Sequence, residues 1–402
     1  MSDPDVVSIL GSTGSIGVNT LDVIRRHRHR FLVEGLCAHR NIDLLAQQIQ
    51  EFGPRSVVIS DSAAAREFHR TYPDIAAKTS VHNGAEAISE MAAGDAQTIV
   101  CGIVGAAGLP STLAAVEAGK RVLLANKEPL VMMGQSILSA ARRSGATLLP
   151  VDSEHNAVFQ CLPRNTSVNN AGSPLPYHTE GIRRIILTGS GGPFRTRDAS
   201  TFGDITPDEA CTHPNWDMGQ KISVDSATMM NKGLEIIEAC VLFDVPEAKI
   251  DVIIHPQSAV HSMVEYDDGS VLAQMASPDM RVPIANALSW PQRIESGAKW
   301  IDFLTTSRLD FEAPQEDRFP ALSIARQCAR QGGSAPVILN ASNEVAVNAF
   351  LDRQITFDQI TTVVEKVLDQ APILPCETLD QVLAADQHAR ALASSSMVCA
   401  EC

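Results

Sequence analysis

Val6-Val7-Ser8-Ile9-Leu10-Gly11-Ser12-Thr13-Gly14-Ser15-Ile16-Gly17 decides the fold. An apolar, β-branched run passes straight into GxxGxxG, and a helical pattern follows at 21–26. Glycine permits a tight turn and close approach of backbone to a pyrophosphate, while the free N–H groups of a helix start favour the anion. A glycine motif alone also fits a plain strand–helix turn. The strand before it, the helix after it and the pattern beyond make it a variant dinucleotide fingerprint. Short apolar runs at 31–38, 56–59, 98–101, 121–124 and 147–150 alternate with helical patterns at 42–51, 109–118 and 130–143. That alternation predicts an α/β fold, a Rossmann-like parallel sheet with crossover helices over residues 1–150.

The second strand discriminates between cofactors. An NAD enzyme offers an acid to the ribose about 20 residues after the glycines. Here the strand ends Cys37-Ala38-His39-Arg40-Asn41, without an acid. Arg40 would welcome a 2′-phosphate, so NADP(H) is predicted; a solvated loop cation is the plainer reading.

After Pro150 the pattern changes. Residues 163–181, rich in Asn, Ser, Pro and Gly, read as a long loop. A strand at 183–188, a loop with Pro207 and Pro214, one long helix at 226–243 and strands at 250–254, 262–267 and 270–275 follow. The last two close a hairpin on Asp267-Asp268-Gly269. These elements predict a central α+β catalytic domain at 151–289 and a linker at 290–318. A C-terminal helical domain at 319–402 is expected from patterns such as 341–351 and 357–368.

The 402 residues suffice for about two to four domains. With 32 basic and 47 acidic residues the net charge is −15, and no basic block stands out, which argues against a nucleic-acid or polybasic membrane partner. Three Trp and three Tyr argue against an aromatic stacking platform. Nine dispersed Cys fit reduced thiols rather than a disulfide framework, and the Cys399/Cys402 pair reads as a frayed tail. The first residues lack leader character, and no apolar run approaches the ~18–20 residues of a span. A cytoplasmic protein with a small-molecule substrate is expected.

Val151-Asp152-Ser153-Glu154-His155 follows the 147–150 strand, at a carboxyl end where open α/β sheets place ligands. In extended backbone Asp152 and Glu154 would point to one side, and two such carboxylates repel unless a cation or proton intervenes. A hard divalent metal suits them, although Asp-x-Glu alone is also a common surface feature. The 226–243 helix offers Asn231, Lys232 and Glu235 on one arc, with Glu238 as a competing ligand. Gly189-Ser190-Gly191-Gly192-Pro193 is either an anion-binding nest or a tight turn. Thr212 to Gly219, with His213, Pro214 and Trp216, suits a mobile lid or a packed surface loop.

Gly11–Gly17, Asn126-Lys127-Glu128, VDSEHN at 151–156, LTGSGGPF at 187–194, HPNWDM at 213–218 and KISVDSATMMNKGLE at 221–235 occur in this order. Together they resemble the 1-deoxy-D-xylulose 5-phosphate reductoisomerase family over nearly the whole chain, more weakly at 168–181 and after Asn348. The resemblance implies NADPH-dependent and metal-dependent conversion of a sugar phosphate to 2-C-methyl-D-erythritol 4-phosphate by a homodimer with a helical C-terminal domain. It implies metal ligands at Asp152, Glu154 and Glu235, taking Mg²⁺, Mn²⁺ or Co²⁺. Phosphate contacts fall on Ser190, Ser226, Asn231 and Lys232, and sugar contacts on Ser153, Lys127 and His213. Trp216 and Met218 match the lid, and Lys127 and His213 stand with the metal ligands as catalytic. NADPH contacts fall on Thr13, Gly14, Ser15, Ile16, Arg40, Asn41, Asn126, Glu128 and Gly219. Pro129, the His39-Arg40 pair and Ala276-Ser277-Pro278 depart from the family pattern, all at places that touch local cofactor geometry. A plain NADP-linked dehydrogenase, which needs no carboxylate metal site, and a non-enzymatic NADP sensor are the rival readings.

Overall fold

The run of fully buried Val7, Ile9, Leu10, Ile99, Val100, Val122, Leu123, Leu148 and Leu149 is what a parallel sheet covered on both faces requires. A computed structural model describes residues 3–163, 179–216 and 218–398; the long loop read at 163–181 lies mostly outside the described residues, as do Cys399 and Cys402. The first sheet comprises β1 (Asp5–Leu10), β2 (Phe31–Ala38), β3 (Ser56–Ile59), β4 (Ser80–Asn83), β5 (Thr98–Cys101), β6 (Arg121–Leu124) and β7 (Thr147–Pro150). Its order is β4-β3-β2-β1-β5-β6-β7, with every pairing parallel. The chain therefore reverses its direction of winding between β1 and β5, and the crevice above that point is where such sheets bind dinucleotides. Helices α1 (Ser15–Arg26), α2 (Ile42–Phe52), α3 (Ser62–Thr71), α4 (Pro73–Ala76), α5 (Gly84–Ala93), α6 (Leu109–Glu117) and α7 (Glu128–Ser144) cross over between strands or follow them. The apolar runs had located every strand but β4, a largely exposed polar edge strand with no core face to advertise it.

After α8 (Ser153–Cys161), a second sheet forms from β8 (Ile182–Gly189), β9 (Ile250–Ile254), β10 (Val260–Tyr266) and β11 (Val271–Met275). Its order is β11-β10-β8-β9, with β8–β9 parallel and the other pairs antiparallel. The short α9 (Pro207–Ala210) lies in the loop before the lid. The single helix expected at 226–243 is instead two, α10 (Gln220–Ala227) and α11 (Met230–Leu242), because Met229 takes a left-handed φ of 65°. A left-handed non-glycine residue costs about 1–2 kcal/mol. The break redirects α11 so that its first turns face the cleft below.

Helix α12 (Arg281–Ser289) returns to the first domain, where Arg281 pairs with Asp22 of α1 at 2.9 Å. Within 290–318 the only strand-type pairing is an antiparallel bridge between Ile254 and Glu312. Helices α13 (Ala321–Gln331), α14 (Ala335–Leu351), α15 (Gln359–Gln370) and α16 (Leu379–Val398) complete the described chain. No helix among the described residues is long and apolar enough to cross a membrane.

Candidate active site

Asp152 caps the N-terminus of α8, its Oδ1 accepting the Glu154 N–H at 3.2 Å. The extended Asp-x-Glu geometry expected from the sequence is thus incorrect: a capped helix start, where a carboxylate oxygen satisfies an orphan N–H, aims the two groups. Glu235 enters from α11, and ligand oxygens of Asp152, Glu154 and Glu235 all lie within 4.8 Å of one another. Two ammonium groups hold this cluster. Lys127 Nζ lies 2.7 Å from Asp152 Oδ2, 3.1 Å from Glu235 Oε1 and 2.8 Å from Asn231 Oδ1. Lys232 Nζ lies 2.8 Å from Glu154 Oε1 and also donates to Glu235 Oε2. The ammonium expected at a phosphate is therefore committed to carboxylates here. Asn231 Nδ2 donates to Glu235 Oε1 at 2.6 Å, the i,i+4 pairing its spacing implied.

The electrostatics follow from burial. Burial alone would raise the Asp152 pKa, but Lys127 and His155 outweigh it and hold the carboxyl well below its ordinary value. For Lys127 burial favours the neutral amine, and Asp152 and Glu235 reverse this, keeping it charged. Burial and then the Glu154 charge raise Glu235 despite both lysines. Three carboxylates against two ammoniums leave one negative charge over, and all the donors are hard oxygens. That set fits Mg²⁺ or Mn²⁺.

Glu238, the competing ligand, belongs to a neighbouring cluster with Asp152 and His155. His155 Nδ1 stands 3.1 Å from Asp152 and 3.3 Å from Glu238, and Nε2 stands 3.0 Å from the Glu235 carbonyl. Acceptors on both sides of the ring require both nitrogens to donate. Although burial opposes it, the two carboxylates push this imidazole up to about 9. The sequence reading gave His155 no role; its i,i+3 spacing from Asp152 was the available signal.

The turn after β8 has Gly191 and Gly192 at φ 83° and 69°, and a Cβ on Gly192 would lie 2.7 Å from the Ser226 carbonyl oxygen. Ser190 Oγ accepts the Gly192 N–H at 3.1 Å and meets His213 Nε2 at 3.0 Å. His213 Nδ1 accepts two backbone N–H groups, from Asn215 at 3.2 Å and Trp216 at 3.0 Å. Nδ1 is therefore the unprotonated nitrogen and Nε2 carries the proton. Burial, only partly offset by Glu154, lowers the His213 pKa from 6.5 to about 4. Across that interval the unfolded chain binds a proton that the folded chain refuses, so this residue makes stability rise with pH from about 4 to 6.5. His213→Gln should flatten the slope of Tm against pH over this range, as thermal melts would record; an unaltered slope contradicts the assignment. Asn215 ties the loop down through Pro256 O and Ser258 Oγ, both at 2.8 Å, and Trp216 packs on His261 with ring centroids 5.9 Å apart.

A cleft of about 570 Å³ joins these groups to the β1–β5 crevice. It is lined by Gly14, Ser15, Ile16, Asn126, Lys127, Glu128, Asp152, Ser153, Glu154, Ser190, His213, Trp216, Met218, Gly219, Ser226, Asn231, Lys232 and Glu235, all named from the sequence. At the fingerprint a Cβ on Gly17 would lie 2.3 Å from Ser12 Cα, so only glycine packs α1 onto the turn. No side chain caps α1, which leaves its first N–H groups to a ligand. Both amide atoms of Asn126 are buried without a hydrogen-bond partner, an orphan donor–acceptor pair on the groove wall. Glu128 pairs with Lys221 at 3.1 Å, and Lys221 with Asp225 at 2.8 Å. Lys221, Asp225, Gly102, Val104, His261 and Asn348 also line the cleft and had not been singled out.

Thr13, Arg40 and Asn41 lie outside this lining. Asn41 Oδ1 caps α2 by accepting the Leu44 N–H. Arg40 is exposed beyond β2, its Nε 2.9 Å from Asp61 Oδ2. If it meets a 2′-phosphate there, Arg40→Ala should raise the KM for NADPH about tenfold with little effect on NADH. Equal losses for both cofactors in steady-state assays would remove that role.

A parallel dinucleotide-binding sheet facing a buried three-carboxylate centre beneath a loop lid defines a metal-dependent nicotinamide oxidoreductase. The family profile for 1-deoxy-D-xylulose 5-phosphate reductoisomerase matches residues 7–134, and profiles for C-terminal domains of the same enzyme match 148–243 and 275–392. The chain is 52% identical over 393 residues to the 1-deoxy-D-xylulose 5-phosphate reductoisomerase of Pseudomonas putida KT2440, covering 98% of this chain and 96% of that one. A crystal structure of DOX-P reductoisomerase in complex with NADPH, fosmidomycin and magnesium superposes with TM-score 0.92 at 43% identity, covering 99% of each chain. The Zymomonas mobilis enzyme in complex with NADPH gives 0.88 at 45% identity, again over 99% of both. The chain belongs to the 1-deoxy-D-xylulose 5-phosphate reductoisomerase family.

Proposed function

We propose that Asp152, Glu154 and Glu235 hold the divalent metal with which this enzyme rearranges and reduces 1-deoxy-D-xylulose 5-phosphate, using NADPH, to 2-C-methyl-D-erythritol 4-phosphate. The convergence of those three carboxylates in the cleft that reaches the dinucleotide turn carries this reading. When bound there, the metal supplies Lewis-acid polarisation of the sugar's carbonyl and hydroxyl oxygens. Lys127, kept charged by Asp152 and Glu235, donates to the sugar hydroxyls and steadies charge as the carbon–carbon bond migrates. Ser190 and Ser226 grip the phosphate, joined by Asn231 and Lys232 as these exchange their bonds to Glu154 and Glu235 for it, and its binding energy serves alignment and closure. Neutral His213 offers its Nε2 proton to the substrate. Trp216 and Met218 cover the site and keep the intermediate aldehyde from water until hydride arrives. Gly14, Ser15, Ile16, Asn126, Glu128 and Gly219 seat the cofactor, with Thr13, Arg40 and Asn41 at its far end.

The same reading makes the protein a cytoplasmic homodimer with domains at 1–150, 151–289 and 319–402. Supporting the dimer, edge strand β11 exposes Val271 and Leu272, and Ser277 bonds the Lys299 carbonyl at 2.7 Å beside Trp300, which is 93% exposed. A monomer by light scattering would refute it.

NADPH oxidation followed with deoxyxylulose phosphate tests the function. EDTA should abolish turnover and Mg²⁺ or Mn²⁺ restore it. Metal-independent turnover would instead favour a plain dehydrogenase.

A further inference from the structure

Helix α14 is largely buried, yet one of its sides carries the buried Asn340 and Asn343 and the half-buried Glu344. Polar groups inside a helical core are costly unless they are bonded. Two of these side chains are bonded to opposite walls of the cleft. Asn343 Nδ2 donates to Asp225 Oδ1 at 2.8 Å, and Asp225 pairs with Lys221 on the α10 side. Glu344 Oε1 accepts the Ala106 N–H at 3.1 Å, and its Oε2 takes Arg390 of α16 at 2.6 Å. Arg390 is itself fixed by Asp386 at 2.7 Å.

Ala106 belongs to the 102–108 loop, which leaves β5 at the point where the sheet reverses its winding. Gly102 and Val104 of that loop line the cleft, and Gly102 lies against Ile16 of the dinucleotide turn. Gly105 has φ 77°, and a Cβ there would stand 2.8 Å from Glu344 Oε1. Loop and carboxylate are thus built to fit one another.

We infer that Glu344, braced by Arg390, is a positioning residue for the cofactor: from the C-terminal helical region it fixes the 102–108 loop as a wall of the nicotinamide groove. The inference rests on the reading that this cleft takes NADPH, and it gives the C-terminal helices a part in cofactor binding.

Fluorescence titration of the full-length protein with NADPH, alongside steady-state kinetics, tests it. Glu344→Ala should weaken NADPH binding about tenfold while the KM for deoxyxylulose phosphate stays within about twofold. Glu344→Gln, whose amide oxygen still accepts the Ala106 N–H but whose NH₂ faces Arg390, should fall clearly between Ala and wild type in NADPH affinity. If Glu344→Ala does not fold, Gly105→Ala attacks the same contact from the loop side and should give the same selective loss. An unmoved NADPH affinity, a parallel rise in the sugar phosphate KM, or a Gln variant as impaired as Ala would overturn the inference. A wild-type protein that binds no NADPH would instead defeat the functional reading beneath it.

Discussion

Glu235→Gln should lower turnover by about a thousandfold or more, while NADPH binds as tightly as to wild type. Glu235 is fully buried, and its carboxylate accepts from Lys127, Lys232 and Asn231. The amide keeps the volume but removes one of the three hard anionic donors, and it turns a donating NH₂ toward two ammoniums. Losing the metal's charge stabilisation is worth several kcal/mol, and each 1.36 kcal/mol is about tenfold in rate. Among the described residues no hydrogen bond or ion pair joins the Glu235 carboxylate to the dinucleotide turn, so the cofactor affinity should survive. Steady-state NADPH oxidation and a binding titration on one preparation measure both arms. Turnover within about tenfold of wild type would remove Glu235 from the centre.

Lys127→Met should produce a different and equally large signature. Only 4% exposed, Lys127 is the ammonium common to Asp152 and Glu235. Removing one partner from a buried ion cluster costs about 3–5 kcal/mol because the remaining charges stay uncompensated. The metal-free variant should melt well below wild type. A divalent ion then replaces the missing positive charge, so Mg²⁺ or Mn²⁺ should raise the variant's Tm more than the wild type's. Turnover should nevertheless stay low by about 10²–10⁴-fold, since the metal cannot take over the ammonium's proton-donating part. Calorimetry with and without metal checks the first effect and kinetics the second. Equal metal-induced Tm shifts in the two proteins would contradict the placement of Lys127.

What the sequence disclosed followed local chemistry. Strands β1, β2, β3, β5, β6 and β7 are apolar runs because both faces of the sheet are covered, and burial writes itself directly into composition. Edge strand β4 carries no such record. The break at Met229 was hidden because left-handed backbone is normally marked by glycine or asparagine, and Thr228-Met229-Met230 offers neither. For the site, chain order and motif named the carboxylates, but not the means of their convergence. That depends on Asp152 acting as a helix cap and on α11 being redirected, both tertiary outcomes. Glu235 and Glu238, alternatives one helical turn apart, are separated only by which neighbours they meet: Glu154 and the lysines for one, His155 for the other. Glu344 stayed unread because Ala106 and Arg390 are distant in sequence, as is Glu128 from Lys221, and no short motif encodes such pairs. The i,i+4 spacing of Lys221 and Asp225 was a local signal, but it reads equally as a surface helix pair.

Anomalous diffraction from crystals of the full-length protein grown with Mn²⁺ addresses the metal centre most directly. The expected map has one peak bonded to an oxygen from each of Asp152, Glu154 and Glu235, absent from crystals of Glu235→Gln grown identically. A peak among Asp152, His155 and Glu238 instead, or one that persists unchanged in the variant, would contradict the centre described here.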